Sequence, residues 1–333
     1  MSFLQILWFI LIGVLFSGFF FLEGFDFGVG MQFATNARDK KEREALYSAI
    51  GPNWDANEVR LLTAGGAMFA SFPFWYASLF SGFYIMLFIV LMALVFRAAS
   101  FEFRDQVEKY IHVRHWERVI AFTSFIAPFF LGMIFTAMIK GMPIDANGDI
   151  YGSFFDFVNV YTLVGGVALS LMSYIHGLNF VRIKIIGEQS KRAIKQLKVA
   201  YPLLLAGEAL FAVLTFFMTE IFNNNTVVEL SIVVLIVVTT LISWFSALNK
   251  RLKTAFISSG LILVELVAFI FAGLFPRVMI ANNHQFDLLI KNASSSEYTL
   301  QVMSIVVLTA LPITLAYQIW SFVVFSRRFQ VKK

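Results

Sequence analysis

Two pairs of acidic residues interrupt the first apolar stretches of this sequence, and both pairs have the same spacing. Glu23 precedes Asp26 by three positions, and Asp55 precedes Glu58 by three. Residues three apart lie on one face of a helix, so each pair would present its carboxyl groups together. A carboxyl group at the centre of a bilayer costs about 2.5 to 3.5 kcal/mol on insertion scales, and it therefore indicates a path for protons, ions or a substrate.

The composition indicates that these acids belong to a membrane protein. Of the 333 residues, 59% are hydrophobic and 14% are charged, which excludes a water-soluble globule because too little polar surface remains to cover one. The chain has no cysteine, which excludes disulfide frameworks, thiolate metal sites and cysteine nucleophiles. We predict no catalytic, metal-binding or cofactor-binding residue in this chain.

Stretches of about 20 apolar residues can cross the bilayer as helices, and the sequence contains nine of them. The second and third share an uncharged run from Leu61 to Phe96, which we divide near Pro73 and Gly82. The predicted fold is an all-α polytopic membrane protein with nine transmembrane helices in a single domain, 1–333. Residues 1–140 and 155–276 would form two repeated four-helix bundles, with 302–325 as an extra helix. The nine predicted spans are 4–32, 52–72, 78–98, 117–139, 158–181, 200–221, 229–248, 254–275 and 302–325.

The distribution of basic residues predicts the orientation of the chain. Lysine and arginine accumulate in cytoplasmic connections, and 22 of the 26 in this sequence fall in alternate connections and the C-terminal tail from Arg327. We count Arg97 among them, at the boundary between the third span and the cytoplasmic loop that follows it. The N-terminus is therefore predicted outside and the C-terminus inside. This distribution explains the net charge of +5 without nucleic-acid binding.

The two acidic pairs are predicted to lie at the same depth. At 1.5 Å per residue, Asp26 lies about 9 Å before the inner end of the first span, and Glu58 about 9 Å after the start of the second. With Arg60, four ionised carboxylates would carry a formal charge of −3 in one low-dielectric layer, so some of them are expected to hold protons. The layer is interpreted as a relay for protons from the cytoplasm, or as a buried polar clamp that fixes helix register.

Three weaker candidate residues also lie within predicted spans, and they are His176, Glu208 and Glu265. His176 could ligate haem iron, but the sequence offers no second embedded histidine, which favours a hydrogen-bonded core residue. Glu208 and Glu265 each interrupt a span alone, and each could face a partner chain or a cavity.

The first third of the sequence resembles a known family. Its motifs are similar to those of subunit II of the cytochrome bd quinol oxidases, and the rest of the chain agrees with that family in span number, orientation and length. The motifs are Glu23-Gly-Phe-Asp-Phe-Gly-Val-Gly30, Gly51-Pro-Asn-Trp-Asp-Ala-Asn-Glu-Val59, Gly65-Gly-Ala, Gly82-Phe-Tyr84, Phe96-Arg97 and Phe101-Glu-Phe-Arg104.

The resemblance implies a respiratory complex in a bacterial cytoplasmic membrane. An obligate partner, subunit I, would carry two haem b and one haem d, oxidise quinol and reduce O2 to water while a proton-motive force builds. This chain would bind no haem. Whether the complex contains a small accessory subunit, and whether a quinone binds against this chain, stays open.

The resemblance also implies roles for residues of the acidic layer. The family's Trp-Asp pair, here Trp54-Asp55, lies on a proton path at the subunit interface, which makes Asp55 the first candidate, followed by Asp26, Glu58 and Glu23. Arg60 departs from the aromatic residue that many relatives carry, and it leaves open whether Asp55 and Glu58 are poised for proton transfer or held in an ion pair.

Two other functions are compatible with the acids. A proton-coupled transporter would also need them, although transporter sites usually lie near the midplane and this layer lies toward the inner face. A passive scaffold would use the buried charges only to fix assembly.

Overall fold

The fold is described from a computed structural model, which covers residues 1–52, 54–104, 106–107, 110–324 and 329–330. Predictions that fall on Asn53, Lys109 and the basic tail residues Arg327, Arg328, Lys332 and Lys333 lie outside the described residues. The protein is an all-α polytopic membrane protein, as predicted. Its helices are α1 (Phe3–Thr35), α2 (Lys40–Ile50), α3 (Trp54–Ser71), α4 (Pro73–Gly82), α5 (Tyr84–Arg104), α6 (Tyr110–Lys140), α7 (Val160–Lys184), α8 (Glu188–Met218), α9 (Ile221–Leu248), α10 (Leu252–Leu274), α11 (Ile290–Ala293) and α12 (Glu297–Val324).

In the described part of the chain, eight helices are long and apolar enough to cross a membrane. They correspond to eight of the nine predicted spans. The remaining predicted span corresponds to α3, whose 18 residues include Asp55, Glu58 and Arg60 and are therefore less apolar. The count of nine transmembrane helices stays a prediction, as does the division into repeated halves.

The uncharged run between Leu61 and Phe96 is divided where the sequence predicted, but into three helices. Helix α3 ends at Ser71, and Pro73 occupies the first turn of α4, where a missing backbone N–H costs nothing. Helix α4 ends at Gly82, and α5 begins at Tyr84. The prediction that the third span starts near residue 78 was therefore wrong by about one and a half turns, because residues 73–82 form a separate short helix.

Several basic connections are helical instead of irregular. Helix α2 occupies the first of them, and its N-cap Asp39 accepts a hydrogen bond from the backbone of Glu42. Helix α8 begins at Glu188, well before the predicted start of the sixth span at residue 200. Basic residues thus extend the helices beyond their apolar parts.

Two small sheets tie distant connections together. Strand β1 (Ile185–Ile186), between α7 and α8, pairs in parallel with β4 (Phe329–Gln330) near the C-terminus. Strand β2 (Arg277–Met279) pairs antiparallel with β3 (Leu288–Leu289) in the connection after α10. At the N-terminal end, Trp8 Nε1 donates to the carbonyl oxygen of Leu300 at 3.2 Å. Strands β1 and β4 therefore meet on the side predicted to be cytoplasmic, and the other contacts lie on the side predicted to be outside.

Helix α1 lies at the centre of the bundle and contacts α3, α6, α7 and α10. Gly28 of α1 lies against the backbone of Gly177 and Ser173 in α7, so the absence of a side chain lets these two helices approach closely. Gly65 and Gly66 of α3 make no such approach, since an added Cβ at either would meet no atom within 4 Å. These two glycines line a groove instead.

Candidate functional site

The acids of the first pair are completely buried in the bundle. Glu23 and Asp26 both have an exposed fraction of 0%. They lie on α1 one turn apart, where the helix is surrounded by its neighbours on every side. A charge in such a place needs a compensating partner, because burial removes it from water.

The partner is Arg97 of α5, which lies between acids from two different helices. Its Nη1 atom donates to Glu23 Oε1 at 2.5 Å and also to Glu58 Oε1 of α3. The guanidinium carbon lies 5.0 Å from the ring centre of Phe27 and 5.5 Å from that of Phe101. These rings exclude water and favour the cation through their π faces.

The assignment of Arg97 to a cytoplasmic loop was wrong. Helix α5 continues to Arg104, so Arg97 lies within the helix and has an exposed fraction of 0%. The prediction failed because a basic residue at the end of an apolar run has the same local pattern whether it faces inward or outward. The sequence signal that could have indicated the buried position of Arg97 was the Phe96-Arg97 motif, which lies two helical turns before Arg104 at the end of α5.

Asn57 is a further member of the site that the sequence analysis missed. Its Nδ2 atom donates to Asp26 Oδ2 at 2.5 Å, and its Oδ1 atom accepts from Arg60 Nη1 at 2.5 Å. Arg60 also donates to the carbonyl oxygen of Ala56 at 2.8 Å. The ion pair of Glu58 is therefore with Arg97, and the hydrogen bonds of Arg60 go to Asn57 and Ala56.

The remaining predicted residues lie at the edge of this cluster. Asp55 is exposed on α3, one helical turn from the buried residues. Trp54 stacks on Phe101 with ring centres 4.8 Å apart, so that one face of the Phe101 ring supports Trp54 and the ring also contacts the Arg97 guanidinium. The structure thus brings Glu23, Asp26 and Glu58 together, and leaves Asp55 at the surface.

Asp55 and Glu58 also line the groove that contains Gly65 and Gly66. This groove has a volume of about 790 Å³ and is walled by apolar side chains of α3, α4 and α5. Its acidic end reaches the buried cluster through Glu58, which has 13% of its side chain exposed.

Four polar atoms of the buried cluster have no hydrogen-bond partner within the described part of the chain. They are Glu23 Oε2, Asp26 Oδ1, Arg97 Nε and Arg97 Nη2. Buried polar atoms of this kind are usually satisfied by ordered water. Chemically, the cluster can accept a proton on a carboxylate and stabilise the remaining negative charge with Arg97.

A second group of ion pairs holds the helices around this cluster. Glu117 of α6 is buried and pairs with Arg43 of α2 at 3.0 Å and with Arg104 of α5 at 3.1 Å. Arg104 also pairs with Glu44 and lies over the ring of Tyr47, both on α2. Three helices therefore meet at one carboxylate.

The prediction of a hydrogen-bonded core histidine is confirmed for His176. Its Nε2 atom lies 2.9 Å from the carbonyl oxygen of Phe21, and its Nδ1 atom lies 2.8 Å from Ser259 Oγ. A carbonyl only accepts, so Nε2 carries the proton.

The two lone acids accept hydrogen bonds from adjacent threonines of α9. Thr240 donates to Glu208 at 2.6 Å, and Thr239 donates to Glu265 at 2.8 Å. Glu208 also lines a small apolar cavity, which agrees with one of the two alternatives that the sequence left open for it.

Comparisons with known proteins cover the whole chain. The family model for cytochrome bd terminal oxidase subunit II matches residues 4–325. Cytochrome bd ubiquinol oxidase subunit 2 of Bacillus subtilis is 44% identical over 334 residues, covering 100% of this chain and 99% of that protein. Cytochrome bd-I ubiquinol oxidase subunit 2 of Escherichia coli is 31% identical over 353 residues, covering 96% and 93%.

A solved structure has the same fold. The bd oxidase from Geobacillus thermodenitrificans includes a chain that matches with a TM-score of 0.77 at 15% identity, covering 97% of this chain and 99% of that one. The fold, the motifs around the buried acids and the full-length sequence similarity agree. The chain therefore belongs to the cytochrome bd terminal oxidase subunit II family.

Proposed function

We propose that the buried acids of this chain carry protons for a cytochrome bd-type quinol oxidase. As a subunit II, the chain is part of a quinol:oxygen oxidoreductase complex with subunit I in a bacterial membrane. Its part would be to stabilise the complex and to conduct protons from the cytoplasm toward subunit I, without forming the catalytic centre itself.

The observation that carries this proposal is that two carboxyl groups meet at one buried guanidinium, with a third carboxyl group one helical turn away. Glu23 and Glu58 contact Arg97, and Asp26 is one turn from Glu23 on the same helix. A proton that passes between acids of this set leaves the net charge of the set unchanged, and the nearby Arg97 stabilises the carboxylate that remains.

The direction of the path follows from exposure. Asp55 is exposed and lies next to Glu58 in the groove, while Glu23 and Asp26 are fully buried. Asp55 is therefore the proposed entry, Glu58 the intermediate, and Glu23 and Asp26 the inner members. Trp54 supports the entry by its stacking on Phe101.

His176, the histidine buried within the helix bundle, does not suit a haem of this chain. Both ring nitrogens of His176 are hydrogen-bonded, and Phe21 and Phe256 pack against its ring. His284 lies near the acids Glu220 and Asp287. We therefore assign the haems of the complex, two haem b and one haem d, to subunit I, where they would supply electron transfer and O2 reduction.

The substitution Asp55→Asn tests the path, because it removes a proton-carrying group at nearly constant size. In the complex with subunit I, we expect quinol-dependent O2 uptake per haem to fall at least tenfold, with an unchanged haem spectrum. Asp149→Asn is the matched control, since Asp149 is exposed in the connection between α6 and α7, far along the chain from the cluster, and it should keep full activity.

Two measurements decide between the candidate functions, the activity of Asp55→Asn in the complex and proton flux across vesicles that contain this chain alone. Unchanged O2 uptake per haem together with a lower yield of complex would contradict the proton role and support a passive scaffold. Substrate-driven proton flux in vesicles that contain this chain alone would support a transporter instead.

A further inference from the structure

The side-chain amide of Asn57 is held in one orientation by two neighbours, one of which is a hydrogen-bond donor and the other an acceptor. Its Oδ1 atom accepts from Arg60 Nη1 at 2.5 Å, and a guanidinium has no acceptor. Its Nδ2 atom lies 3.4 Å from the carbonyl oxygen of Leu22, which cannot donate. Turning the amide by half a rotation would place donor against donor and acceptor against acceptor, so both contacts oppose the turn.

This orientation determines which oxygen of Asp26 can hold a proton. The same Nδ2 atom lies 2.5 Å from Asp26 Oδ2 and can only donate, so Oδ2 must accept in either protonation state. Asp26 Oδ1 is buried and has no hydrogen-bond partner among the described residues. In a protonated carboxyl group the carbonyl oxygen is a stronger acceptor than the hydroxyl oxygen, so the donor at Oδ2 favours the carbonyl bond at Oδ2 and the proton at Oδ1.

We propose that Arg60 is a positioning residue that acts on Asp26 through the amide of Asn57. It keeps Oδ2 of Asp26 as a permanent acceptor and thereby makes Oδ1 the oxygen that takes up and releases the proton. This inference rests on the proposed proton path and specifies how one of its members is oriented. It also gives the departure at position 60 a role that does not require an ion pair with Asp55 or Glu58.

The charges around Asp26 are separate from this orienting effect. Arg97 of α5, Glu58 and Arg60 of α3, and Glu23 of α1 itself are the charged groups that act on Asp26. They influence how readily Asp26 binds a proton. The amide of Asn57 determines where on the carboxyl group the proton lies, and vibrational spectroscopy reports that location directly.

The experiment is infrared difference spectroscopy of the purified complex with subunit I, recorded over a range of pH. The carbonyl stretch of protonated Asp26 is identified by its loss in Asp26→Asn. In Arg60→Met the side-chain amide of Asn57 can turn and present its oxygen to Asp26 Oδ2. Part of the population then carries the proton of Asp26 on Oδ2 and the carbonyl bond at Oδ1, which accepts no hydrogen bond. We expect the band to gain a component at higher frequency.

Further variants show whether Arg60 acts through Asn57. Asn57→Leu should move the band to higher frequency, and the double variant with Arg60→Met should add nothing further, because both changes remove the same hydrogen bond to Oδ2. Arg60→Lys keeps a donor for Asn57 and should restore the native band. Arg251→Met, at an exposed arginine before α10, is the control and should leave the band unchanged.

Three results would overturn the inference. They are an unaltered band in Arg60→Met, a band in the double variant that shifts by the sum of the single shifts, and the absence of any Asp26 carbonyl band across the pH range. Failure of the proposed proton path can be distinguished from failure of this inference. Full O2 uptake in Asp26→Asn would show that Asp26 is not on the path, whereas a band that still moves as expected in Arg60→Met would show that Arg60 orients Asn57.

Discussion

At the scale of single residues, Arg97 shows how a membrane-embedded cation is tolerated. Its side chain and that of Glu23 are both 0% exposed, so neither charge is stabilised by water. Each is stable only because the other is present, with Glu58 completing the set. Pairs of this kind contribute little compared with apolar residues of the same shape, but the loss of one partner leaves a buried charge without compensation.

The substitution Arg97→Met should therefore destabilise the complex strongly, by about 3 to 5 kcal/mol, as is typical when a buried ion pair loses one partner. Thermal denaturation of the purified complex, or its yield when the protein is too unstable to purify, measures this. Adding Glu23→Gln and Glu58→Gln to Arg97→Met removes the uncompensated charges and should restore most of the stability. Native stability in the single variant would show that the acids are not ionised around Arg97.

At the scale of elements, the crossing of α1 and α7 depends on the absence of side chains. A Cβ atom at Gly28 would overlap the carbonyl oxygen of Ser173 and lie 2.7 Å from the backbone nitrogen of Gly177. Backbone atoms cannot move aside as flexible side chains do, so the helices would have to separate. Such a shift would also displace Asp26, which lies half a turn before Gly28.

Gly28→Ala is therefore expected to lower the thermal stability of the complex by about 1 to 3 kcal/mol, the usual cost of overpacking. Gly18→Ala is the matched control on the same helix, because a Cβ there meets no atom within 4 Å. A loss of stability in the control equal to that in Gly28→Ala would argue against the close contact of the two helices.

Helices α2, α5 and α6 are joined by ion pairs at Glu117. This carboxylate contacts Arg43 of α2 and Arg104 of α5 from its position on α6. Glu117→Gln should weaken both contacts and increase hydrogen exchange in α2, which is short and depends on such contacts. Glu188→Gln, where the acid pairs with Lys191 at the surface, should leave exchange in α2 unchanged. Equal exchange in both variants would contradict the role of Glu117.

At the scale of the whole molecule, the two small sheets and the contact of Trp8 with Leu300 connect segments that are far apart in the sequence at each end of the helix bundle. Strands β1 and β4 join the α7 to α8 connection to the C-terminal segment. Both are predicted on the cytoplasmic side. At the other end, which is predicted outside, Trp8 contacts Leu300 in the first turns of α12, and Gln5 contacts Ser294 in the connection before it.

Reporter fusions test this orientation. Alkaline phosphatase inserted after Asp149, in the connection between α6 and α7, should be active because that connection is predicted outside. A green fluorescent protein fused to the C-terminus should fluoresce, since it folds in the cytoplasm. The reverse pattern would show that the orientation predicted from the basic residues is inverted.

Hydropathy and charge were sufficient to predict the class of fold and the residues worth examining. In a bilayer the backbone must satisfy its own hydrogen bonds, so a long apolar run is almost always a helix, and this energy is local to the run. The two acid pairs could be recognised for the same reason, since a carboxyl group in such a run is costly wherever its partner lies. The resemblance of the first third of the sequence to the family was carried by motifs that contain these acids.

The partners of those acids depended on contacts between residues far apart in the chain. Arg97 reaches Glu23 across 74 positions, and Asn57 reaches Asp26 across 31. The energy of each contact exists only when the helices are packed, so no local pattern in the sequence distinguishes a buried Arg97 from one in a loop. Packing likewise placed Gly28 against α7 and left Gly65 open to the groove, although both are glycines in apolar helices.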